Sequence, residues 1–311
     1  MNTTIEERYI WLNGEIVHLP DAKINVLSPT AQFGANVFEG IRCYWNEEEQ
    51  QLYAFRLEDH YRRLKKSMKL FRMEEKYTEE ELKNALLDVV RANDYRENIA
   101  VRQTVFIDGF GSWGSSGPVG MFVAPVPKGK LSAEYNKKGL NCCISSWERI
   151  SDRNMSPRIK VGANYINSRM AQMEAKENGY DSAILMNHLG KIAEGPGSCL
   201  FMVRDGVLIT PPVTASILES ITRDTVMVLA KEVLNIPVME RDIDRTELYI
   251  CDEAFLCGSA MEITPIFSVD RFLISDGMVG KLTSRLQKLY IDAVIGKLKS
   301  NWLTPIYKKE I

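Results

Sequence analysis

A mixed α/β fold in two domains is what this sequence predicts, and three observations predict it. Runs that alternate apolar and polar residues mark half-buried strands. They recur among stretches whose apolar residues return every three or four positions, the mark of amphipathic helices. A proline- and lysine-bearing stretch, Pro125-Val126-Pro127-Lys128-Gly129-Lys130, interrupts the pattern, and 311 residues suffice for two domains of ordinary size. The expected division is a smaller N-terminal α/β domain over 1–126, a linker over 127–135 and a larger C-terminal α/β domain over 136–311.

The elements follow in order. Tyr9 to Leu12 and Glu15 to Val17 flank Asn13-Gly14, a strong short hairpin signal because both turn residues tolerate positive φ. A short helical or turn segment after Ser28-Pro29 runs into a strand through Phe38-Glu39-Gly40-Ile41-Arg42, and Leu52 to Phe55 is a further strand. From Glu58 the pattern is helical, with Tyr61, Leu64 and Met68 on one face. Thr78-Glu79-Glu80-Glu81 is a capping box that opens a helix burying Leu82, Leu86, Val89 and Val90. Ile99 to Ile107 alternates: Ile99, Val101, Val105 and Ile107 share one face, while Ala100, Arg102, Thr104 and Phe106 share the other.

Gly109-Phe110-Gly111-Ser112-Trp113-Gly114 matches the dinucleotide pattern G-x-G-x-x-G, but that pattern needs a following helix. Here Ser115-Ser116-Gly117-Pro118 and a strand follow, so a loop over a site is the expectation. Leu140 to Ser145 is a strand. A helix beyond Tyr165 carries Ile166, Met170 and Met173 at helical spacing, expected in the core. Ser182 to Met186 is a buried strand, Glu194 precedes the stiff bend Gly195-Pro196-Gly197, and a hairpin crosses Asp205-Gly206. Ser220 caps a helix whose buried stripe is Val226, Leu229, Ala230 and Val233. Ala254 to Ala260 is a strand running into a small-residue turn, and a last helix spans Thr283 to Lys299.

Composition excludes several classes. At 45% hydrophobic and 26% charged the chain resembles average soluble proteins. The net charge of -2, with no basic stretch interleaved with aromatics, argues against nucleic acid; Lys65-Lys66 and Lys137-Lys138 read as solvated faces. The start, Met1 to Arg8, is polar and acidic, so no secretory signal is expected, and no apolar run is long enough for a membrane span. Six cysteines without a C-x-x-C pair read as reduced, packed thiols, and three scattered histidines give no metal site. The expectation is a cytoplasmic enzyme.

Chemistry concentrates at Arg158-Ile159-Lys160-Val161-Gly162-Ala163-Asn164-Tyr165. A lysine there, before a glycine and a helix start, is a candidate nucleophile toward an aldehyde if it is shielded from water. The competing reading is an exposed lysine near a helix start. Glu194, fixed by the Gly-Pro-Gly bend, suits a cationic ring nitrogen. Arg63, Thr222 and the amides of Ile221 and Thr222 suit a phosphate, because helix N-termini attract anions. Tyr165 suits a ring oxygen. A Schiff-base lysine, a ring-nitrogen partner and a phosphate cup are what pyridoxal phosphate requires of a protein. Arg102, among small and aromatic neighbours, calls for an anionic partner or else lies on a solvated sheet face.

From Tyr9 to about Pro265 the chain resembles the branched-chain amino acid aminotransferases of the fold-type IV, class IV pyridoxal-phosphate family. The carrying stretches are Phe38-Glu39-Gly40-Ile41-Arg42, His60-x-x-Arg63-Leu64 and Lys160-x-Gly162-x-Asn164-Tyr165. With them go Glu194-Gly195, Leu218-x-Ser220-Ile221-Thr222-Arg223-Asp224 and Gly258-Ser259-Ala260-x-Glu262-Ile263. The resemblance implies a two-domain fold of the D-amino acid aminotransferase type, with the cofactor between the domains, and a homodimer or higher homo-oligomer. It implies that Lys160 binds the cofactor covalently and moves protons. Glu194 then pairs with the ring nitrogen, Tyr165 with the ring oxygen, and Arg63, Ile221, Thr222 and Ser259 with the phosphate. Phe38, Gly40, Arg102, Ser259 and Ala260, with positions 33 and 100, would receive the substrate. The implied reaction is ping-pong transamination between a hydrophobic L-amino acid and 2-oxoglutarate.

Three positions depart from the family pattern: Phe33 and Ala100 stand where tyrosines are usual, and Cys199 where asparagine is usual. Each lost tyrosine hydroxyl removes a hydrogen bond worth about 0.5–1.5 kcal/mol. A larger or differently shaped amino substrate is therefore expected. The competing expectations are a D-amino acid or amine transaminase of the same fold type and a lyase like aminodeoxychorismate lyase. A binding protein on the same scaffold is disfavoured because both the lysine and its ring partner are present.

Overall fold

The computed structural model describes residues 7–129 and 139–307. They fall into two compact units: 7–129, 159–163 and 293–307 belong to one, and 139–158 with 164–292 to the other. Most of the expected linker, and the pair Lys137-Lys138, lie outside the described residues.

In the first unit, strands β1 (Tyr9–Leu12) and β2 (Glu15–His18) make the hairpin across Asn13-Gly14, where φ is 51° and 109°. Helix α1 (Pro29–Phe33) begins with Ser28 accepting the Ala31 N–H and ends at Gly34 with φ 69°. It leads into β3 (Asn36–Asn46) and β4 (Gln51–Phe55). Helix α2 (Leu57–Leu70) buries His60, Tyr61, Leu64, Ser67 and Met68 and packs on β3. Helix α3 (Glu79–Asn93) starts at the Thr78–Glu81 capping box and buries Leu82, Leu86, Val89 and Val90. Strands β5 (Ile99–Ile107) and β6 (Val119–Pro127) follow.

Pro125 and Pro127, the latter at the start of the expected linker, pair with Val101 and Ile99 at the end of β6. The prolines are tolerated because β1 pairs with β6 only at Phe122 and Val123, leaving one edge of the strand's end open. A strand, not a helix, follows Gly114, so the G-x-G-x-x-G match lacks the helix N-terminus that pyrophosphate needs.

The second unit holds β7 (Leu140–Ile144), α4 (Tyr165–Glu177), β8 (Ser182–Ile184), β9 (Glu194–Gly195), β10 (Ser198–Arg204) and β11 (Val207–Thr210). Helix α5 (Ile221–Val228), strands β12 (Val238–Glu240), β13 (Glu253–Gly258), β14 (Glu262–Val269) and β15 (Phe272–Leu273), and helix α6 (Lys281–Val294) follow. Strand β16 (Leu303–Pro305) belongs to the first unit, where the sheet order is β16-β4-β3-β5-β6-β1-β2 and every pairing is antiparallel. The second unit's sheet runs β12-β11-β10-β13-β14-β7-β8, with β15 on β14 and β9 on β10. It is mixed: β11–β12, β14–β7 and β7–β8 are parallel. Its core gathers Leu140, Ile184, Leu200, Met202, Ile243, Leu248, Leu256 and Ile266. Among the described residues no helix is long and apolar enough to cross a membrane.

Three expected packings are corrected. On α4, Ile166, Met170 and Met173 are 62%, 40% and 39% exposed, whereas Ser168, Ala171 and Ala175 are buried. Ala171 and Ala175 pack with Cys143, Ala183 and Leu185, a close approach that small side chains allow and long ones prevent. Val233 is exposed, because the backbone widens to a π-turn over Leu229–Val233 and takes it off the buried stripe. The last helix ends at Val294, five residues early, and Gly296 follows it with φ 86°.

Candidate active site

In the first unit, backbone contacts fix Lys160. Val161 bridges Val37 antiparallel, the Phe38 N–H donates to the Lys160 carbonyl at 2.9 Å, and the Lys160 N–H donates to Ser67 Oγ at 3.1 Å. Gly162 permits the approach, since a Cβ there would lie 2.8 Å from Asn36 Oδ1. The lysine Nζ stands 4.8 Å from the Phe38 ring centroid, and the Arg102 guanidinium 4.0 Å from the same ring. One aromatic ring thus supports both cations.

Gly40 faces Arg102 across β3–β5, with nothing within 4 Å of where its Cβ would be, so this stretch of sheet is open to a ligand. Ala100 faces Arg42 in the same register. Phe33, 48% exposed, ends α1 and is followed by Gly34, which packs on Ala163.

Arg63 has a partner that sequence reasoning did not find. Its Nε and Nη2 donate to Glu39 Oε1 and Oε2 at 2.8 and 2.6 Å, and His60 Nδ1 lies 2.7 Å from Glu39 Oε2. Glu39 is fully buried, which raises its carboxyl pKa. The charge and hydrogen bonds of Arg63, helped by His60, outweigh burial and hold it at about 2. Burial lowers the His60 pKa against the opposing pull of Glu39, with Arg63 and Lys160 adding to the lowering.

In the second unit, Glu194 is buried at the β9–β10 turn. Its Oε1 is 2.7 Å from Arg149 Nη2, the Leu218 N–H donates to its carboxylate at 3.3 Å, and the Cys199 thiol lies 3.6 Å from Oε2. Burial, then the Glu194 charge, pushes the Cys199 thiol well above its ordinary pKa, so it stays a donor. Cys199 therefore gives this carboxylate a weak hydrogen bond.

The Leu218 contact brings the start of α5 beside Glu194. There Ser220 Oγ accepts the Arg223 N–H at 3.2 Å, and Ile221 and Thr222 supply first-turn amides of the kind that bind anions. Arg223 is turned away from that end, onto Thr210, Pro211 and Glu240. Tyr165 opens α4, and its Cε1 lies 3.9 Å from a Cβ built on Gly197, just past Glu194. Gly258 packs on Gly197 and Ser198, which puts Ser259 next to the same bend, with the exposed Ala260 following.

The first unit thus gathers Lys160, Phe38, Gly40, Arg102 and Arg63, and the second gathers Glu194, Tyr165, Ile221, Thr222 and Ser259. Taken unit by unit, the second holds a buried carboxylate, a phenol and a helix N-terminus, and the first an amine, each a donor of a kind that pyridoxal phosphate requires. Ser67, Glu39 and Arg149 were missed. Ser67 had a signal, four residues after Arg63 on one helix face; Arg149 and Glu39 had none, since their partners are distant in sequence.

A family model for amino-transferase class IV matches residues 36–269. The chain is 38% identical over 307 residues to the probable branched-chain-amino-acid aminotransferase of Aquifex aeolicus, covering 97% of each chain. Its fold is similar to the branched-chain amino acid aminotransferase of Thermobaculum terrenum in its PLP form, with TM-score 0.92 and 45% identity over 98% of this chain and 100% of that one. It is also similar to the T.th. branched-chain amino acid aminotransferase complexed with N-(5'-phosphopyridoxyl)-L-glutamate, with TM-score 0.91 and 36% identity over 98% and 100%.

Proposed function

Because the chain belongs to the amino-transferase class IV family, we propose that it moves an amino group from a hydrophobic, branched-chain-like L-amino acid to 2-oxoglutarate by a ping-pong route, using pyridoxal phosphate. The observation that carries this reading is Glu194, a buried carboxylate with charged and neutral donors already in place, matched to a cationic ring nitrogen. Named relatives and a neighbour bound to a phosphopyridoxyl-glutamate adduct support the same reading. When bound, pyridoxal phosphate supplies the aldehyde that accepts the amino group and the ring that draws electrons from the α-carbon.

The residues do the rest. Lys160 Nζ would hold the cofactor at its aldehyde, and as a free amine it would move the substrate α-proton as general base. The Phe38 ring beside Nζ supports that amine and shelters it from water on one side. Glu194 would hold the cofactor at its ring nitrogen, and Tyr165 at its ring oxygen. Ile221, Thr222 and Ser259, and Arg63 with its fork fixed by Glu39, would be the groups that hold the phosphate. Arg102, Gly40, Phe38, Ser259 and Ala260 receive the substrate. Phe33 and Ala100 lack the usual hydroxyls, so the pocket takes a larger or differently shaped amino acid than leucine, isoleucine or valine.

The enzyme works as a homodimer or higher homo-oligomer, a reading supported by the exposed Ile166, Met170 and Met173. It works in the cytoplasm, in keeping with its six free, buried cysteines. The test is to purify the protein with pyridoxal phosphate and follow its visible band. L- and D-amino acids and amines are added singly, and 2-oxoglutarate is then supplied. Bleaching by bulky hydrophobic L-amino acids, reversed by 2-oxoglutarate, is expected. Pyruvate release without an acceptor, or a response to D-amino acids alone, overturns the reaction. Equal and high turnover of leucine, isoleucine and valine overturns the altered pocket.

A further inference from the structure

Arg149 is a buried cation to which the proposed reaction assigns no role of its own. Its side chain and that of Glu194 are 7% and 5% exposed, with Nη2 2.7 Å from Oε1. Nη1 reaches Asn167 Oδ1 on α4 at 3.4 Å, and the Arg149 N–H donates to the Met186 carbonyl at 2.8 Å. Asn167 thus holds the guanidinium and Met186 the backbone of Arg149, while the side chain faces the carboxylate.

Left alone, a carboxyl this buried takes up a proton rather than stay charged. Of its contacts described above, the Leu218 amide and the Cys199 thiol are neutral, so only the guanidinium brings charge. We propose that Arg149 is a positioning residue that keeps Glu194 ionised and aimed, so that the proton shared between Glu194 and the cofactor's ring nitrogen resides on the ring. The inference deepens the proposed function and rests on its cofactor. Without the guanidinium the carboxylate is the stronger base: the ring N–H bond breaks, an O–H bond forms on Glu194, and a neutral ring remains. A neutral ring draws electrons from the α-carbon far less.

The experiment loads the holoenzyme with pyridoxal phosphate labelled with nitrogen-15 in the ring and reads the ring-nitrogen chemical shift. Wild type and R149K are expected at the protonated position, because both keep a cation at 149. R149Q is expected at the unprotonated position, together with the reference variant E194Q, and to bind the cofactor roughly tenfold more weakly or worse. A merely structural role for Arg149 would lower stability without moving the ring signal. Removing one partner of a buried ion pair can prevent folding. If R149Q does not fold, R149K decides, and an unprotonated ring in that variant overturns the proposal. A protonated ring in a folded R149Q, or an unprotonated ring in wild type, overturns it as well. A wild-type protein that binds no pyridoxal phosphate defeats the underlying reading instead.

Discussion

Replacing Glu39 by glutamine keeps the shape of the side chain and removes its charge. The carboxyl is held at about 2 against an ordinary 4.5 by the Arg63 fork at 2.6 and 2.8 Å, with His60 at 2.7 Å. That depression corresponds to about 3 kcal/mol of folding stability at neutral pH. Since the folded value lies below the unfolded one, the contribution is complete well above pH 4.5 and is lost as pH falls through about 2. Roughly half of it is left at pH 3. E39Q never has this contribution. Urea unfolding of both proteins, followed by tryptophan fluorescence, should therefore show a stability gap of about 3 kcal/mol at pH 7 that shrinks to about half at pH 3. Other carboxyl groups are common to both proteins and largely cancel in the difference. A gap of equal size at both pH values, or one under about 1 kcal/mol at pH 7, would refute the reasoning, because the ion pair would then not be what holds the carboxylate.

Other perturbations have outcomes of known sign. Thr78→Ala breaks the capping box at the start of α3 and should cost about 1 kcal/mol in urea unfolding. Glu253→Ala removes the carboxylate that accepts the Leu282 and Thr283 N–H groups at 2.9 and 2.7 Å; a loss of about 1–2 kcal/mol is expected, read the same way. Ala100→Tyr puts a hydroxyl beside Arg42. It should raise kcat/KM for leucine roughly threefold to tenfold relative to the preferred bulkier substrate, measured by competition between the two.

Local rules made much of the first unit legible. Asn13-Gly14, Thr78 with Glu81, and the alternation of Ile99 to Ile107 each carry their geometry in a few adjacent residues, and the structure has all three. The stripe on α4 shows where such rules stop. Period alone places Ile166, Met170 and Met173 on one face, but whether that face is buried depends on how closely the helix meets its sheet. Strand order was likewise illegible, because β7 pairs with β14 across more than a hundred residues. The candidate site residues were named from their local sequence and from the family resemblance. What holds them was not: Ser67 lies 93 positions from Lys160, and Arg149 meets Glu194 only once β9 is in place.

The two units are braided along the backbone, which crosses between them at 129/130, 158/159, 163/164 and 292/293. A polypeptide stopping at residue 129 would lack the edge strand β16, which pairs with β4, and the Val161 bridge that seats the nucleophile beside Phe38. A proteolytic nick between 130 and 138 would leave both pieces needing each other to complete the first sheet. Expressing residues 1–129 alone should therefore give poorly folded material, and adding the remaining piece should restore the first sheet.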